Sequence, residues 1–249
     1  MNDYAVAVQL WKSRQITNAS ELAAALNRFS VSFAYHSLKI ENEQITFRDT
    51  REIFENDGAI ASTGDLRTVL EIRNAKEAFK LFLKTFDDRR SVDESLIKEF
   101  QYTLAKDIYD ARRVHLGERP GEYKHHDYIT GKGETGAAPE DVAEEINELI
   151  AELHDLPRDG LLTGAAYFHV KFENIHPFAD GNGRVGRLPM NYLLVLNDHP
   201  PIIIFEEDRQ EYFGVLEKWD SAQELDPMIT FLQEQAIKTW HKQIEIAKA

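Results

Sequence analysis

Apolar residues recur at helical spacing along most of the chain. The clearest repeat lies between residues 65 and 86, where apolar positions return to the same side about once per helical turn. They are Leu66, Val69, Leu70, Ile72, Phe79, Phe82 and Leu83. A period of roughly 3.6 residues predicts one long amphipathic helix whose apolar stripe packs into a core. Because the alternation typical of strands is sparse, we predict an all-α fold.

Three positions carry residue types that start helices. A serine or threonine followed three residues later by an acidic residue is typical of a helix N-terminus, as is a proline just ahead of acidic residues. These signals are Thr46 with Asp49, Ser91 with Glu94, and Pro139 ahead of Glu140 and Asp141. Stretches without helical periodicity predict loops at residues 56–64, 116–139 and 156–160. The pattern thus indicates a bundle of helices joined by three longer loops.

The longest predicted loop contains a piece that favours a β-hairpin. Alternating residues between Tyr123 and Thr130 run into Gly131-Lys132-Gly133, and glycine turns of this kind join paired strands. We therefore predict a small hairpin at about residues 121–133. The alternative is a mobile surface loop without a binding role, because the local signal is only that of a glycine-rich turn.

Composition and charge favour a single enzyme domain. The chain has 249 residues, of which 43% are hydrophobic, enough for a sizeable core. Its formal net charge of −14 repels polyanions, and no run of basic residues offsets it, so we expect no nucleic-acid partner. Cysteine is absent, which excludes disulfides and thiolate metal sites.

The apolar runs also bear on location. No signal peptide is evident at the start of the chain, and the longest apolar runs are too short to span a bilayer. We therefore expect a cytoplasmic protein without a membrane partner. The sequence leaves a homo-oligomer open.

One stretch, HPFADGNGRVGR at residues 176–187, concentrates the groups that bind and attack a phosphate chain. Its glycines let backbone N–H groups approach an anion, and a helix that starts at such a turn favours phosphate at its positive end. Arg184 and Arg187 share one face of that helix, where guanidinium groups match phosphate oxygens. Asp180 is a hard oxygen ligand placed to hold Mg²⁺ against the same phosphates. Since His176 can accept a proton near neutral pH, the stretch predicts a triphosphate site with its own base.

Each part of this stretch also has a structural explanation. Gly-Asn-Gly turns are common, and a histidine near a helix end usually serves the fold. Eight specified residue types at fixed spacing, however, coincide by chance with a probability on the order of 10⁻¹⁰, so we favour the functional interpretation. The eight are His176, Phe178, Asp180, Gly181, Asn182, Gly183, Arg184 and Arg187.

At these positions the chain resembles the Fic family, whose signature is His-x-Phe-x-(Asp/Glu)-Gly-Asn-Gly-Arg-x-x-Arg. Every specified position of that signature is present in residues 176–187. The resemblance implies one Fic-type helical domain over residues 1–249, with a catalytic core at about 96–235. It also implies transfer of AMP from ATP to a Tyr, Ser or Thr hydroxyl of a target protein. The kinase-like Doc branch has Ala-Asn-Lys-Arg where this chain keeps Gly-Asn-Gly-Arg.

The resemblance implies a phosphate ligand for each part of the motif. Backbone N–H groups of Gly181, Asn182 and Gly183, together with the Asn182 side chain, would hold the α-phosphate. Arg184 would hold the β-phosphate and Arg187 the γ-phosphate. Charge that builds on the phosphate oxygens would then meet fixed donors.

Further roles follow from the same resemblance. His176 would take the proton of the target hydroxyl, and Asp180 would bring Mg²⁺ to the phosphates. Asn191 and Tyr212 would line the ATP site, the tyrosine near the adenine. Pro189 departs from the aliphatic residue usual in the family, and we expect it to kink the helix and to shift Asn191.

The predicted hairpin has a counterpart in the family. In Fic proteins a similar flap precedes the catalytic helix and offers its edge to the target segment, which adds to it as a strand. Tyr128, Ile129 and Thr130 look like the flap in this chain.

A second resemblance lies far upstream, in SLKIEN at residues 37–42. It is similar to the Fic inhibitory motif (Ser/Thr)-x-x-x-Glu-(Gly/Asn), and we expect an inhibitory helix at about residues 30–42 with Ser37 and Glu41 on one face. In the family this glutamate pairs with the second arginine of the motif, here Arg187, and takes the place of the γ-phosphate. The alternative is ordinary helix surface, since Ser, Glu and Asn are common near helix ends.

Taken together, these features predict an autoinhibited protein adenylyltransferase that uses ATP and Mg²⁺, modifies a target protein and itself, and releases pyrophosphate. Three alternatives stay open: removal of AMP from a modified protein, transfer of another nucleotidyl or phospho group, and a non-catalytic binding module. The sequence names neither the target protein nor the modified residue.

Overall fold

The computed structural model of the protein describes residues 2–56, 65–129, 135–155 and 160–249. These ranges contain twelve α-helices and no β-strand. The helices are α1 (Asp3–Lys12), α2 (Ala19–Ala25), α3 (Asn27–Lys39), α4 (Phe47–Asn56), α5 (Leu66–Asp87), α6 (Glu94–Ala105), α7 (Ala111–His115), α8 (Val142–Asp155), α9 (Leu161–Ile175), α10 (Asn182–Leu196), α11 (Arg209–Ala222) and α12 (Asp226–Lys248). The predicted all-α fold is confirmed.

Helices α9 and α10 form the centre of the molecule. They pack against each other, with α8, α11 and α12 around α9 and with α3, α5 and α6 against α10. Phe168 and Phe172 of α9 are fully buried, as is Phe178 in the turn between the two helices. The motif at residues 176–187 therefore links two core helices, which hold its backbone in place.

The long amphipathic helix predicted at residues 65–86 is confirmed as α5, which the side chain of Asp65 caps. Its stripe is buried at Ile72 and Phe82, as the periodicity indicates. Leu66 differs, because 71% of it is exposed. It stands at the first position of the helix, ahead of the turns that contact the core.

Two predicted helix starts have different outcomes. Thr46 caps α4 as expected: the N–H of Asp49 donates to its hydroxyl oxygen at 3.1 Å, and the hydroxyl donates to the Asp49 carboxylate at 2.7 Å. Ser91 as a cap is wrong, because α6 begins at Glu94 and its cap is Asp93, whose side chain accepts from the N–H of Leu96 at 2.7 Å. Aspartate caps a helix as well as serine does, and Asp93 lies two positions after Ser91.

The N-terminal helices close one side of the bundle and carry residues 37–42 to the motif. Helix α1 packs along α12, and α3 packs against α4, α5 and α10. A small apolar cluster of Leu38, Ile45, Ile53 and Ile72 joins α3, α4 and α5. This cluster fixes the end of α3 beside the start of α10.

Helix α10 continues through Pro189, which lies buried inside it. The proline therefore does not end the helix. Within the described ranges, no helix is both long enough and apolar enough to cross a bilayer.

Candidate active site

A cleft of about 1320 Å³ opens where the turn between α9 and α10 meets the end of α3, the start of α5 and one face of α11. Most residues predicted for the site line it. They are Glu41, Tyr128, Ile129, His176, Asp180, Gly181, Asn182, Gly183, Arg184, Arg187 and Tyr212. Its volume is ample for a nucleotide together with part of a protein segment.

His176 stands at the end of α9 with its backbone in the left-handed region, at φ 52° and ψ 60°. A residue other than glycine in this conformation is uncommon and is held there by its surroundings. Burial, aided by the charge of Lys124, lowers the pKa of His176 to about 4. The imidazole is therefore neutral at pH 7, the state in which it can accept a proton.

One backbone amide and two side chains from upstream segments hold the backbone that follows His176. The amide N–H of Lys124 donates to the carbonyl of Pro177 at 2.9 Å. Arg113 Nε donates to the carbonyl of Ala179 at 3.1 Å, and Gln101 Nε2 donates to the carbonyl of Asp180 at 3.1 Å. Sequence reasoning missed these contacts because their donors lie 50 or more positions upstream in the sequence.

Helix α10 presents its N-terminus to the cleft. Gly181 precedes its first residue at φ 87°, a conformation that favours glycine, and no side chain caps this start. The first N–H groups of an α-helix have no acceptor inside the helix, and the helix dipole makes this end positive. The end of α10 can thus hold an anion next to His176.

The side chain of Asn182 was predicted to hold the α-phosphate, but it points into the turn and not into the cleft. Its Oδ1 accepts from the N–H of Phe178 at 2.9 Å, and its Nδ2 donates to the carbonyl of Phe178 at 2.7 Å. Both polar groups of this buried amide therefore brace the turn. Only the backbone N–H of Asn182 is left for a phosphate.

Arg187 is almost fully buried and is held by the upstream segment. Its Nε donates to the Ser37 hydroxyl oxygen at 3.0 Å, and one terminal nitrogen donates to the Ser37 carbonyl at 2.8 Å and to Glu41 Oε1 at 2.9 Å. The structure thus brings together Ser37, Glu41 and Arg187, which the sequence analysis assigned to one inhibitory contact. Gly183 lies so close that a Cβ atom on it would collide with the Glu41 carboxylate.

The helix that carries Ser37 is shorter than predicted. Helix α3 ends at Lys39, and Glu41 lies in the turn that follows rather than on a helical face. The N–H groups of Glu41 and Asn42 both donate to the carbonyl of Leu38, which keeps the turn tight. The glutamate reaches Arg187 from this turn.

A closed ring of four charged side chains borders the cleft beside the N-terminus of α10. Arg67 Nε and Arg184 Nη1 lie 3.0 and 3.5 Å from Glu71 Oε1. Arg67 Nη2 and Arg184 Nη2 lie 3.0 and 3.2 Å from the two oxygens of Asp180. Sequence reasoning missed Arg67 and Glu71, because a pair four residues apart on a helix is common on surfaces.

Tyr212 reaches the cleft from α11 beside Arg187, and its place near the adenine stays a prediction. Its hydroxyl lies 2.8 Å from His169 Nε2 and 3.4 Å from a terminal nitrogen of Arg187. Glu173, one turn before His176, also lines the cleft, and burial raises the pKa of its carboxyl to about 8. Sequence reasoning missed Glu173, because only its place in the helix distinguishes it from other acidic residues.

Asn191 lies outside the cleft, contrary to the prediction. Its Nδ2 donates to the carbonyls of Arg187 and Ile202, each at 3.0 Å, and its Oδ1 accepts from the N–H of Ile202 at 2.6 Å. This buried amide joins α10 to the segment after it. Asn191 therefore serves the fold.

The described part of the predicted flap, residues 121–129, contains turns and bends without a strand. The Tyr128 hydroxyl donates to the buried Glu118 at 2.9 Å, and Ile129 is 79% exposed. Thr130 and the glycines after it lie outside the described residues. Beyond that gap, the N–H of Ala137 donates to the carbonyl of Ile175 at 2.9 Å, next to His176.

The carboxylate of Asp180 is a possible ligand for a metal ion that binds together with phosphates. In the described part of the chain, no three His, Asp or Glu side chains converge on one point. Mg²⁺ commonly uses one or two carboxylates and completes its shell with phosphates and water. Asp180, at the edge of the anion site, fits that pattern.

Comparisons with known proteins agree with this geometry. Residues 91–194 match the model of the Fic/DOC family. Protein adenylyltransferase Fic of Drosophila persimilis is 30% identical over 228 residues, which are 89% of this chain and 42% of that protein. The Drosophila virilis protein of the same name is 31% identical over 211 residues, 82% of this chain and 41% of that protein. The chain thus spans about two fifths of the length of these curated relatives.

Solved structures show the same fold. A Fic-domain-containing signaling protein from Bacteroides thetaiotaomicron superposes with a TM-score of 0.81 at 24% identity, covering 99% of this chain and 97% of that one. Fic-1 from C. elegans superposes with a TM-score of 0.76 at 22% identity, covering 98% of this chain and 73% of that one. The motif, the fold and the relatives have the same implication: the chain belongs to the Fic/DOC family.

Proposed function

We propose that this protein transfers AMP from ATP to a Tyr, Ser or Thr hydroxyl of a target protein, and to itself, with release of pyrophosphate. One observation carries the proposal: a neutral histidine stands beside the uncapped N-terminus of α10 in a cleft of nucleotide size. The names of the relatives, protein adenylyltransferase Fic, support the same reaction.

The reaction follows from these positions. His176 accepts the proton of the target hydroxyl, whose oxygen attacks the α-phosphorus. The bond between the α-phosphorus and the oxygen that bridges to the β-phosphate breaks, and pyrophosphate leaves. N–H groups of Gly181, Asn182 and Gly183 hold the α-phosphate as charge builds on its oxygens.

The remaining charges hold the rest of the nucleotide. Arg184 takes the β-phosphate and Arg187 the γ-phosphate, since guanidinium forks match phosphate oxygens. Asp180 would hold Mg²⁺, which would neutralise phosphate charge. Tyr212 lines the cleft beside Arg187, with its hydroxyl 3.4 Å from a terminal nitrogen of that arginine.

The contact of Glu41 with Arg187 supports autoinhibition. In this state the arginine that would take the γ-phosphate is occupied by a carboxylate at 2.9 Å and by Ser37. ATP can then bind only with its γ-phosphate displaced, so its α-phosphorus is turned away from His176. Release of Glu41 from Arg187 activates the protein.

The target segment lies along Tyr128 and Ile129 in this proposal. Tyr128 and Ile129 line the cleft, and the exposed Ile129 offers an apolar contact at its rim. An extended segment that pairs with this stretch would carry its hydroxyl toward His176.

One observation favours a second activity, removal of AMP from a modified target. The Glu41 side chain is 38% exposed and lines the same cleft, where its carboxylate could orient a water molecule. A purified target that already carries AMP distinguishes the two activities. Loss of that AMP without added nucleotide would favour removal.

The proposal is tested by incubating the purified Glu41→Gly chain, in which Arg187 is released from this carboxylate, with Mg²⁺ and ATP and measuring intact mass. We expect a mass increase of one AMP on the chain or on an added lysate protein, and none with His176→Ala. His241→Ala, at an exposed histidine of α12, is the matched control and should behave as the parent. Full activity of His176→Ala would contradict the assignment of the base.

A further inference from the structure

The ring around Asp180 leaves neither of its carboxylate oxygens without a cationic partner. Oδ1 lies 3.2 Å from Arg184 and Oδ2 lies 3.0 Å from Arg67. In the proposed function Asp180 is the metal ligand, and Arg184 binds phosphate. Arg67 has no part in that mechanism, yet it sits on the carboxylate oxygen that the metal would need.

Arg67 is anchored in this position by a buried carboxylate. Glu71, one turn further along α5, is 4% exposed and accepts from Arg67 Nε at 3.0 Å. Its other oxygen accepts from Asn42 Nδ2 at 2.8 Å, which joins the ring to the segment after α3. Arg67 lines the cleft and its side chain is 44% exposed, so the guanidinium can turn away from Asp180 while the backbone stays in α5.

We propose that Arg67 is a built-in competitor of the divalent cation: its guanidinium holds Asp180 when no metal is bound and must release Oδ2 before the metal can bind. A guanidinium and a divalent cation both need a carboxylate lone pair, and two positive charges repel each other at one oxygen. The inference rests on the proposed function, because it takes Asp180 as the metal ligand. It adds a residue that sets how much metal the protein needs.

Competition between Arg67 and the metal for Asp180 Oδ2 can be distinguished from repulsion of the metal by the positive charge of Arg67. Arg67→Gln removes both the contact and the charge. Arg67→Lys keeps the charge, but a single ammonium cannot span Glu71 and Asp180 as the fork does. If the contact between the Arg67 guanidinium and Asp180 Oδ2 blocks the metal, both substitutions free this oxygen and both strengthen metal binding.

The test measures Mn²⁺ binding by the paramagnetic resonance signal of free Mn²⁺, in the presence of α,β-methylene-ATP, whose α–β linkage cannot be cleaved. The nucleotide is kept equimolar with the protein, and a titration without protein gives the Mn²⁺ that the nucleotide binds alone. All proteins carry Glu41→Gly so that the γ-phosphate position is open. We expect the dissociation constant for Mn²⁺ to fall roughly twofold to fivefold in Arg67→Gln and Arg67→Lys, the range of an ion pair that is partly exposed. Arg73→Gln, at an exposed arginine of the same helix outside the cleft, should leave it unchanged.

Three outcomes would overturn the inference or its premise, and they are distinguishable. Unchanged or weaker Mn²⁺ binding in Arg67→Gln would show that Arg67 is no competitor. Tighter binding in Arg67→Gln but not in Arg67→Lys would show that charge alone acts. If Asp180→Asn bound Mn²⁺ as tightly as the reference, the metal assignment in the proposed function would fail instead.

Discussion

At the scale of single residues, burial sets the chemistry of His176. Removal from water disfavours the charged imidazolium, and the ammonium of Lys124 adds to the effect. Because the pKa is lowered, the neutral base dominates at and well below pH 7. Activity that needs this base should therefore persist as the pH falls below the ordinary histidine pKa.

We expect the acidic limb of kcat/KM for AMP transfer to lie below pH 6, since this parameter reports the free enzyme. Lys124→Met should move the limb to higher pH by removing a charge that disfavours imidazolium. Lys84→Met, at an exposed lysine of α5, is the control and should leave the profile in place. A limb at pH 6.5 or above in the parent would contradict the buried, neutral base.

The sequence predicted single residues best where the motif itself forms the site. His176, Asp180, Arg184 and Arg187 lie on one cleft because a turn and one helix carry them. The contacts of two further side chains were predicted wrongly. The amides of Asn182 and Asn191 satisfy backbone groups inside the protein, and which backbone groups lie near a side chain depends on tertiary packing.

At the scale of secondary structure elements, helices were predictable and their ends less so. Helix α5 is 22 residues long, and an apolar repeat over such a length identifies a helix clearly. The start of α6 was misplaced because Ser91 and Asp93 are both good caps. The end of α3 was misplaced because no residue between Lys39 and Glu41 is a helix breaker.

The turn after α3, which contains Glu41, is predicted to limit the rate of AMP transfer. Glu41→Gly should raise AMP transfer roughly tenfold to a hundredfold, because a charge-assisted pair of about 1.5–3 kcal/mol no longer occupies Arg187. Ser37→Ala should act in the same direction and more weakly, since it removes one of the acceptors of Arg187. The measurement is the initial rate at matched ATP and Mg²⁺.

Two variants control this experiment. Glu43→Gly changes a side chain that is 86% exposed in the same segment and should leave the rate unchanged. The gain from Glu41→Gly should vanish in an Arg187→Ala background, because both substitutions act on one contact. No gain in Glu41→Gly would mean that residues 37–42 are ordinary surface.

At the scale of the whole molecule, the fold class followed from helical periodicity, but the ring of charges did not. Arg67 and Asp180 are 113 positions apart, and only the packing of α5 beside α10 brings them together. Tertiary packing also buries His169 and His199, and it leaves His176 half-buried. Burial lowers their pKa values to about 3, 4 and 4.

These histidines predict acid sensitivity of the fold. A depressed folded pKa contributes stability above the unfolded value of 6.5, and this stability is lost as the pH falls toward the folded value. Between pH 7 and 5 each should contribute a loss of about 1–2 kcal/mol in the free energy of unfolding. Denaturant unfolding at both pH values should show a smaller loss in His199→Gln than in the parent or in the exposed control His241→Gln. Equal losses in all three would contradict this origin.

The central claim, that the protein breaks the bond to the α-phosphorus of ATP, is tested most directly with labelled nucleotide. The Glu41→Gly chain is incubated with Mg²⁺ and ATP labelled at either the α- or the γ-phosphate, and label on protein is counted. We predict label on protein only from α-labelled ATP, γ-label in released pyrophosphate, and no transfer after His176→Ala. Label on protein from γ-labelled ATP, with the α-label left in ADP, would contradict the claim and identify a kinase.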